Sequence, residues 1–191
     1  MWTIPIGALW VLLWTKLSKT PWSEIGYAKP KSWAVTIALG LVFGIAFKLV
    51  MKAFVMPLLG APDINQAYHF LVGNNLVLPS AIWAMLMAGF SEETLFRGWM
   101  FERLGKLLGN GTVAKITIVA FTSLWFGLEH YSIQGIGGVE QSTIMGVVFG
   151  ILMMRIRIIW LFMIAHAAFD LTALAIVYWN LERQVAHLIF R

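Results

Sequence analysis

The sequence of 191 residues contains no cysteine, which excludes disulfide bonds, thiolate metal ligands and a cysteine nucleophile. Charged residues are also scarce: they make up 12% of the chain, whereas soluble domains carry about 25%. Hydrophobic residues reach 60%, and the mean hydropathy is +0.79. These proportions exclude a water-soluble globular protein and predict an integral membrane protein. The sequence has no stretch of alternating apolar and polar residues that is long enough for a strand of a transmembrane β-barrel. We therefore expect an all-α fold.

Apolar stretches separated by proline, glycine and charged residues predict a polytopic membrane helix bundle of about six transmembrane helices. Two glycine-rich segments, 109–111 and 135–138, are predicted to be loops. The predicted spans are Trp2–Leu17, Trp33–Met56, Leu76 to beyond Phe90, Thr112–Leu128, Gln141–Met154 and Ile158–Trp179.

The net charge of +5 is better explained by a bilayer than by nucleic acid, because the basic residues concentrate in alternate loops. Since positively charged loops face the cytoplasm, we predict that both termini lie outside and that the protein resides in the cell membrane of a prokaryote. Ten of the 14 basic residues fall in these loops: Lys16, Lys19, Lys29, Lys31, Arg97, Arg103, Lys106, Lys115, Arg155 and Arg157.

Ionisable residues inside the predicted spans are the strongest functional signal, since each costs about 2.5–3.5 kcal/mol at the centre of a bilayer. We expect the two lysines of the second span to extend their amines towards the outer surface. The residues form four clusters: Glu92 and Glu93 with Arg97, Glu129 with His130, His166 with Asp170, and Lys48 with Lys52.

Helical spacing predicts which of these side chains meet. Glu93 and Arg97 are four residues apart and form a predicted ion pair, whereas Glu92 points about 100° away and is free for another task. His166 and Asp170 also share one helical face, where they can bind a metal, or Asp170 can orient the imidazole. Purely structural roles, a buried ion pair and a His–Asp hydrogen bond between helices, remain alternatives.

The candidate residues include two glutamates, two histidines and an aspartate, a set that can catalyse hydrolysis. A carboxylate can take a proton from water, and a histidine can polarise a carbonyl or bind a metal. Other known layouts do not fit. The H-E-x-x-H motif is absent, Asp63 lies in a loop and cannot form an aspartyl dyad with Asp170, and Ser91 lacks the glycine-rich surroundings of an exposed nucleophile. A glutamate–histidine site remains.

Three motifs resemble those of the CPBP family of CAAX-protease and bacteriocin-processing intramembrane peptidases, also called the Abi family. They are Glu92-Glu93-x-x-x-Arg97, Phe126-x-x-x-His130 and His166-x-x-x-Asp170, which stand in the family's order within residues 81–174. The family includes the Rce1-type prenyl-protein endopeptidases. The resemblance implies an intramembrane endopeptidase with residues 76–180 as its peptidase core, motif-free helices in 1–75 and a tail in 181–191.

The resemblance also implies roles for the motif residues. Glu92 would activate water with His130 as its partner, while His166 and Asp170 would stabilise the oxyanion or bind metal. Glu93 and Arg97 would support the site. The implied cofactor is zinc, held by Glu92, His130, His166 and Asp170, with a metal-free glutamate mechanism as the alternative. An ionised Asp170 cannot donate a hydrogen bond, so the oxyanion role suits His166 better.

The implied function is hydrolysis of a peptide bond in a membrane-associated substrate, which includes prenylated CAAX-type proteins. The expected partners are a peptide or membrane-protein substrate and the lipid bilayer. Two alternatives use the same residues. One is a non-proteolytic bacteriocin self-immunity or scaffold protein of the same fold, and the other is an ion or proton transporter, although the inverted repeat of many transporters is missing. Counted from the cytoplasmic helix ends, Glu92 and His166 lie at similar depths and His130 lies nearer the outer face.

Overall fold

The computed structural model describes residues 3–190 and is a polytopic bundle of apolar helices, as the sequence predicts. Within these residues there is no β-strand. The helices are α1 (Thr3–Leu17), α2 (Trp33–Val50), α3 (Met56–Leu58), α4 (Leu78–Glu93), α5 (Phe101–Leu108), α6 (Thr112–Glu129), α7 (Tyr131–Ile156), α8 (Ile159–Tyr178) and α9 (Glu182–Ala186).

Two of these helices continue through π-helical turns. Met51–Val55 joins α2 to α3, and Thr94–Met100 joins α4 to α5. A π-helical turn within an α-helix often marks a functional site, because it re-aims the side chains around it. The turn after α4 begins directly after Glu93, in the first of the three motifs.

Four helices are long and apolar enough to cross a membrane, and α1 and α4 are further apolar helices. The predicted start of the first span at Trp2 lies outside the described residues. The predicted loop at 135–138 is confirmed only at its first residue: Gly135, with φ 62° and ψ −156°, kinks α7, whereas residues 136–138 are helical. The four long helices are Trp33–Leu58, Thr112–Glu129, Tyr131–Ile156 and Ile159–Tyr178.

Helix α8 is central because α2 and α4 both pack against it through glycines. On α2, a Cβ at Gly44 would overlap the carbonyl oxygen of Ala165, and one at Gly40 would lie 2.8 Å from the Ile164 side chain. Small residues four apart allow two helix backbones to approach closely in a membrane. The same face of α2 carries Lys48 one turn further on, so this residue also faces α8.

Helices α6 and α7 form a tight antiparallel hairpin that completes the bundle. Gly127 of α6 lies against Thr143, and Gly146 of α7 would place a Cβ 2.9 Å from Ser123. The chain reverses direction around the kink at Gly135, so the segment from His130 to Gly135 connects the two packed helices.

Alternate connections meet at the same end of the bundle, as a membrane topology requires. The loop between α1 and α2 joins the start of α8, where Ile159 N–H donates to the Gly26 carbonyl at 2.9 Å. The same loop meets α5, because Lys106 pairs with Glu24 at 2.8 Å. At the opposite end, Asn65 N–H donates to Glu182 Oε1 at 2.9 Å.

One residue of the first loop reaches the π-helical turn that follows Glu93. Thr94 donates its hydroxyl proton to the Phe90 carbonyl at 2.7 Å, so the Tyr27 hydroxyl donates to Thr94 Oγ1, also at 2.7 Å. Burial raises the pKa of Tyr27 to about 12, although the hydrogen bond with Thr94 acts in the opposite direction. The loop therefore supports the turn that carries the first motif.

Candidate active site

Glu93 lies on the face of α4 that packs against α8. Gly89, one turn earlier, permits the close approach, because a Cβ there would lie 2.8 Å from Ala167 N and 2.9 Å from Met163 O. Glu93 is fully buried and comes within hydrogen-bond distance of His166. The helix contact therefore joins the first and third motifs directly.

The Glu93 carboxylate binds two cationic or polar partners through one oxygen. Its Oε1 accepts from Arg97 Nη1 at 2.9 Å and from His166 Nδ1 at 2.8 Å. The predicted Glu93–Arg97 ion pair is therefore present. Arg97 is 2% exposed, and its guanidinium lies 4.6 Å from the centre of the Phe126 ring, a cation–π distance. His166 therefore donates its orienting hydrogen bond to Glu93, whereas Asp170, for which orientation was one of the two roles considered, lies 3.5 Å from the ring.

The other nitrogen of His166 faces the two remaining carboxylates. His166 Nε2 lies 3.6 Å from Glu92 Oε2 and 3.5 Å from Asp170 Oδ2, both beyond normal hydrogen-bond length. Glu92 is buried, yet its Oε2 has no hydrogen-bond partner among residues 3–190. Glu93 is therefore hydrogen-bonded through Oε1 and leaves its Oε2 without a partner, whereas Glu92 makes no hydrogen bond at all among these residues.

His130 stands at the junction of α6 and α7 with a defined tautomer. Its Nδ1–H donates to the Phe126 carbonyl at 2.8 Å, because a carbonyl oxygen can only accept. In the neutral ring, Nε2 is then an acceptor. The centre of the Phe126 ring lies 4.9 Å from that of His130 and 5.9 Å from that of His166, so the two imidazoles flank the same side chain.

His130, which we expect to lie nearer the outer face, is nevertheless close to the other motif residues. Its ring and that of His166 both lie against Phe126. The direct neighbour of Glu92 is nevertheless His166 and not His130, the partner that the resemblance implies.

One cavity connects these residues. It has a volume of about 1590 Å³ and is lined by Glu92, His130, His166 and Asp170 together. Its wall includes apolar residues of α1 and α4, such as Leu9, and polar residues of the connection between α3 and α4. The volume exceeds the 300–1,000 Å³ typical of small-molecule sites and suits a chain-like ligand.

Sequence analysis missed two polar residues of this cavity, Lys48 and Gln141. Lys48 does not extend to the surface as expected: it is 7% exposed, and its Nζ donates to Gln141 Oε1 at 2.8 Å. The signal was available in the sequence, because Gly40, Gly44 and Lys48 stand four residues apart and therefore on one face of α2.

The donor set does not form a metal site as it stands. Among the described residues, no group of three or more His, Asp or Glu side chains has an arrangement that could hold a metal ion. Zinc requires three such ligands around an open position in a catalytic site. We therefore derive no step through a metal.

Comparison with known proteins identifies the family. The family model described as type II CAAX prenyl endopeptidase Rce1-like matches residues 74–172, just over half of the chain. All three motifs lie inside the matched region. No curated protein and no solved structure shows significant similarity to the chain. Residues of all three motifs line one cavity, and all three motifs lie within the matched region. The chain therefore belongs to the Rce1-like family of CAAX-type intramembrane peptidases.

Proposed function

We propose that this protein hydrolyses a peptide bond of a membrane-associated substrate, in the cell membrane of a prokaryote, by means of water activated by Glu92. The observation that carries the proposal is the contrast between two adjacent buried glutamates. Glu93 is bonded to Arg97 and His166 through Oε1 and does not line the cavity, whereas Glu92 lines the cavity and makes no hydrogen bond among residues 3–190. A general base must reach the water whose proton it takes, and of the two carboxylates only Glu92 lines the cavity.

In this mechanism a water molecule lies between Glu92 and His130. The water donates one hydrogen bond to the Glu92 carboxylate and the other to Nε2 of His130, the acceptor nitrogen of that ring. Glu92 takes the first proton as the water oxygen attacks the peptide carbonyl carbon. A tetrahedral intermediate with a negatively charged oxygen forms, and Glu92 then returns the proton to the leaving amine as the C–N bond breaks.

His166 is the proposed donor to the developing oxyanion. Both of its nitrogens face carboxylate oxygens, which only accept, so the surroundings suit a ring with a proton on each nitrogen. Glu93 fixes the ring through Nδ1 and leaves Nε2–H directed into the site. A fixed donor aimed at the forming charge is the arrangement that stabilises acyl-transfer transition states. Asp170 would balance the charge of the ring.

The proposed substrates are membrane-associated peptides, which include prenylated CAAX-type chains. Two features support this class: the family match and a large cavity bounded on one side by apolar residues of α1 and α4. An apolar wall of this kind suits a lipid-modified or membrane-embedded segment, while the motif residues lie at the polar wall.

Cleavage of a peptide library by detergent-purified protein tests the proposal. We expect cleavage by the wild type and by Glu140→Gln, a matched control outside the cavity lining. Glu92→Ala should cleave no peptide. Equal cleavage by wild type and Glu92→Ala would refute the proposed mechanism. A bacteriocin-immunity phenotype that survives Glu92→Ala, with no cleavage by the wild type, would favour the non-proteolytic alternative.

A further inference from the structure

Lys48 is a buried cation that forms no ion pair among residues 3–190, although Asp170 is its main anionic neighbour at longer range. Its side chain is 7% exposed and donates one hydrogen bond, to the neutral amide oxygen of Gln141. Its Nζ also lies 4.8 Å from the centre of the Phe169 ring. Among residues 3–190, no carboxylate oxygen lies within ion-pair distance of this amine.

Lys52, one turn further along the same helix, shows the contrast. Its amine donates to the Asp63 carbonyl at 2.5 Å and lies 3.6 Å from Glu182 Oε1. Lys52 therefore has a direct ion-pair partner, and Lys48 has none among the described residues. A buried charge without a partner is costly, and such costs in membrane proteins usually mark a functional site.

Lys48 and Gln141 have hydrogen-bond donors without partners, and these donors determine what the two side chains can bind. A lysine ammonium has three N–H donors, of which Gln141 accepts one. Since Gln141 accepts through Oε1, its amide group keeps two further donors. The pair thus presents only donors and a positive charge to the cavity that it lines, which matches an anion with two acceptor oxygens.

The position of Lys48 relates this capacity to the active site. The glycines at 40 and 44 hold α2 against α8, so Lys48 reaches Phe169, the neighbour of Asp170 in the sequence. Both Lys48 and Gln141 line the cavity that holds Glu92 and His166. A substrate bound at the catalytic residues would extend past the pair.

We propose that Lys48 and Gln141 bind a carboxylate of the substrate and thereby select which peptides enter the active site. The inference rests on the proposed peptidase function and adds the residues that determine specificity. The carboxylate has two possible sources, the free C-terminus of the peptide or an acidic side chain. Either would receive charge-assisted hydrogen bonds, which are about twice as strong as neutral ones.

Matched peptides test the inference. One apolar fluorescent peptide is prepared as the free acid, as the C-terminal amide, and as the amide with glutamate at its last position. We expect the wild type to cleave the acid with at least a tenfold higher kcat/KM than the amide. Lys48→Met should bring the ratio close to one, and Lys48→Arg should restore it in part. Lys52→Met is the control and should keep the wild-type ratio.

The third peptide distinguishes the two sources of the carboxylate: cleavage of the glutamate amide at the rate of the acid indicates that a side chain suffices. An equal loss of kcat for acid and amide in Lys48→Met would overturn the inference, because it would mean that Lys48 only balances the charge of Asp170. Cleavage by the wild type without an acid preference would also overturn it, while the proposed function would stand.

A binding measurement keeps the inference testable without turnover. Glu92→Gln should bind the acid at least tenfold more tightly than the amide, as measured by fluorescence anisotropy in detergent micelles. The double variant Glu92→Gln/Lys48→Met should lose this difference. If the wild type cleaves nothing while the binding preference persists, the proposed function fails and the carboxylate site stands. No preference in either protein would refute the site.

Discussion

His166 Nδ1 donates a hydrogen bond to Glu93 Oε1 at 2.8 Å, so the second glutamate of the first motif fixes the histidine of the third. The same oxygen accepts from Arg97, and all three side chains are at most 3% exposed. In the proposed mechanism, Glu93 is a positioning residue that acts on the reaction through His166. Its neighbour Glu92 is the proposed base.

The first prediction separates the two glutamates by chemistry. Glu92→Gln preserves the shape of the side chain and removes the group that accepts the proton, so kcat should fall by about 10²–10⁴. The melting temperature in detergent should stay near that of the wild type, because Glu92 Oε2 makes no hydrogen bond among the described residues. Peptide turnover and thermal unfolding measure the two effects. Near-normal turnover would exclude Glu92 as the base.

The second prediction concerns the network around Glu93. Glu93→Gln leaves Arg97 as an unpaired buried charge, which should destabilise the protein by about 3–5 kcal/mol. Adding Arg97→Met removes that charge and should recover part of the loss in thermal unfolding. Turnover should stay low in the double variant, because His166 still lacks its anionic partner. Recovery of both stability and full turnover would show that Glu93 serves folding alone.

The third prediction distinguishes the metal-free mechanism from a zinc mechanism. An ionised Asp170 supplies a charge to a divalent cation that asparagine cannot replace, whereas an asparagine amide can still donate to an oxyanion. We expect Asp170→Asn to keep turnover within about tenfold of the wild type, since the charge of Asp170 is not used by the base. Metal content is determined on the same samples. If Asp170→Asn lost both its activity and its stoichiometric zinc, the result would support the zinc mechanism and contradict the metal-free mechanism.

The fourth prediction tests the contact that places Lys48 in the cavity. Gly44→Ala adds a Cβ that overlaps the Ala165 carbonyl, so α2 and α8 must separate at a cost of about 1–3 kcal/mol. Gly7→Ala is the matched control, because a Cβ there meets nothing within 4 Å. We expect thermal unfolding in detergent to begin at a lower temperature for Gly44→Ala only. Since alanine has the higher helix propensity, propensity alone would stabilise both variants. An equal loss in both would show that the contact at Gly44 is not its cause.

The fifth prediction concerns orientation in the membrane. The bias of basic residues towards alternate loops predicts that the loop between α1 and α2 is cytoplasmic. Because the chain has no cysteine, single cysteines can be labelled without background. Ser23→Cys and Asn110→Cys should resist an impermeant reagent in intact cells and react after lysis, whereas Gln184→Cys should react in both. Labelling of Ser23→Cys from outside would reverse the orientation.

The sequence predicted the helical bundle, but among the contacts of the candidate site it could predict only those within one helix. Spacing of four residues placed Arg97 beside Glu93 and Asp170 beside His166, because the geometry of an α-helix is independent of its surroundings. The bond between Glu93 and His166 could not be predicted, since it depends on how closely Gly89 lets α4 approach α8.

The position of Lys48 also depends on contacts between helices and could not be predicted from the sequence. A lysine near the end of an apolar helix normally extends to the surface, and the sequence alone favoured that interpretation. The structure buries it because the glycine face of α2 turns this residue towards α8. The break at Gly135 was overestimated for a related reason: one glycine with positive φ suffices to redirect α7, while its neighbours remain helical.

The order of the motifs along the chain has a consequence for biosynthesis. Glu93 acquires Arg97 within the same helix, but its other partner, His166, is 73 residues further on. At about 5–20 residues per second, a ribosome needs about 4–15 s to make that interval. During this time the nascent chain carries the proposed proton acceptor without the His166 imidazole. If the proposed mechanism holds, competence for proteolysis arrives only with insertion of the last long helix, and a chain that stalls before it cannot cleave its neighbours in the membrane.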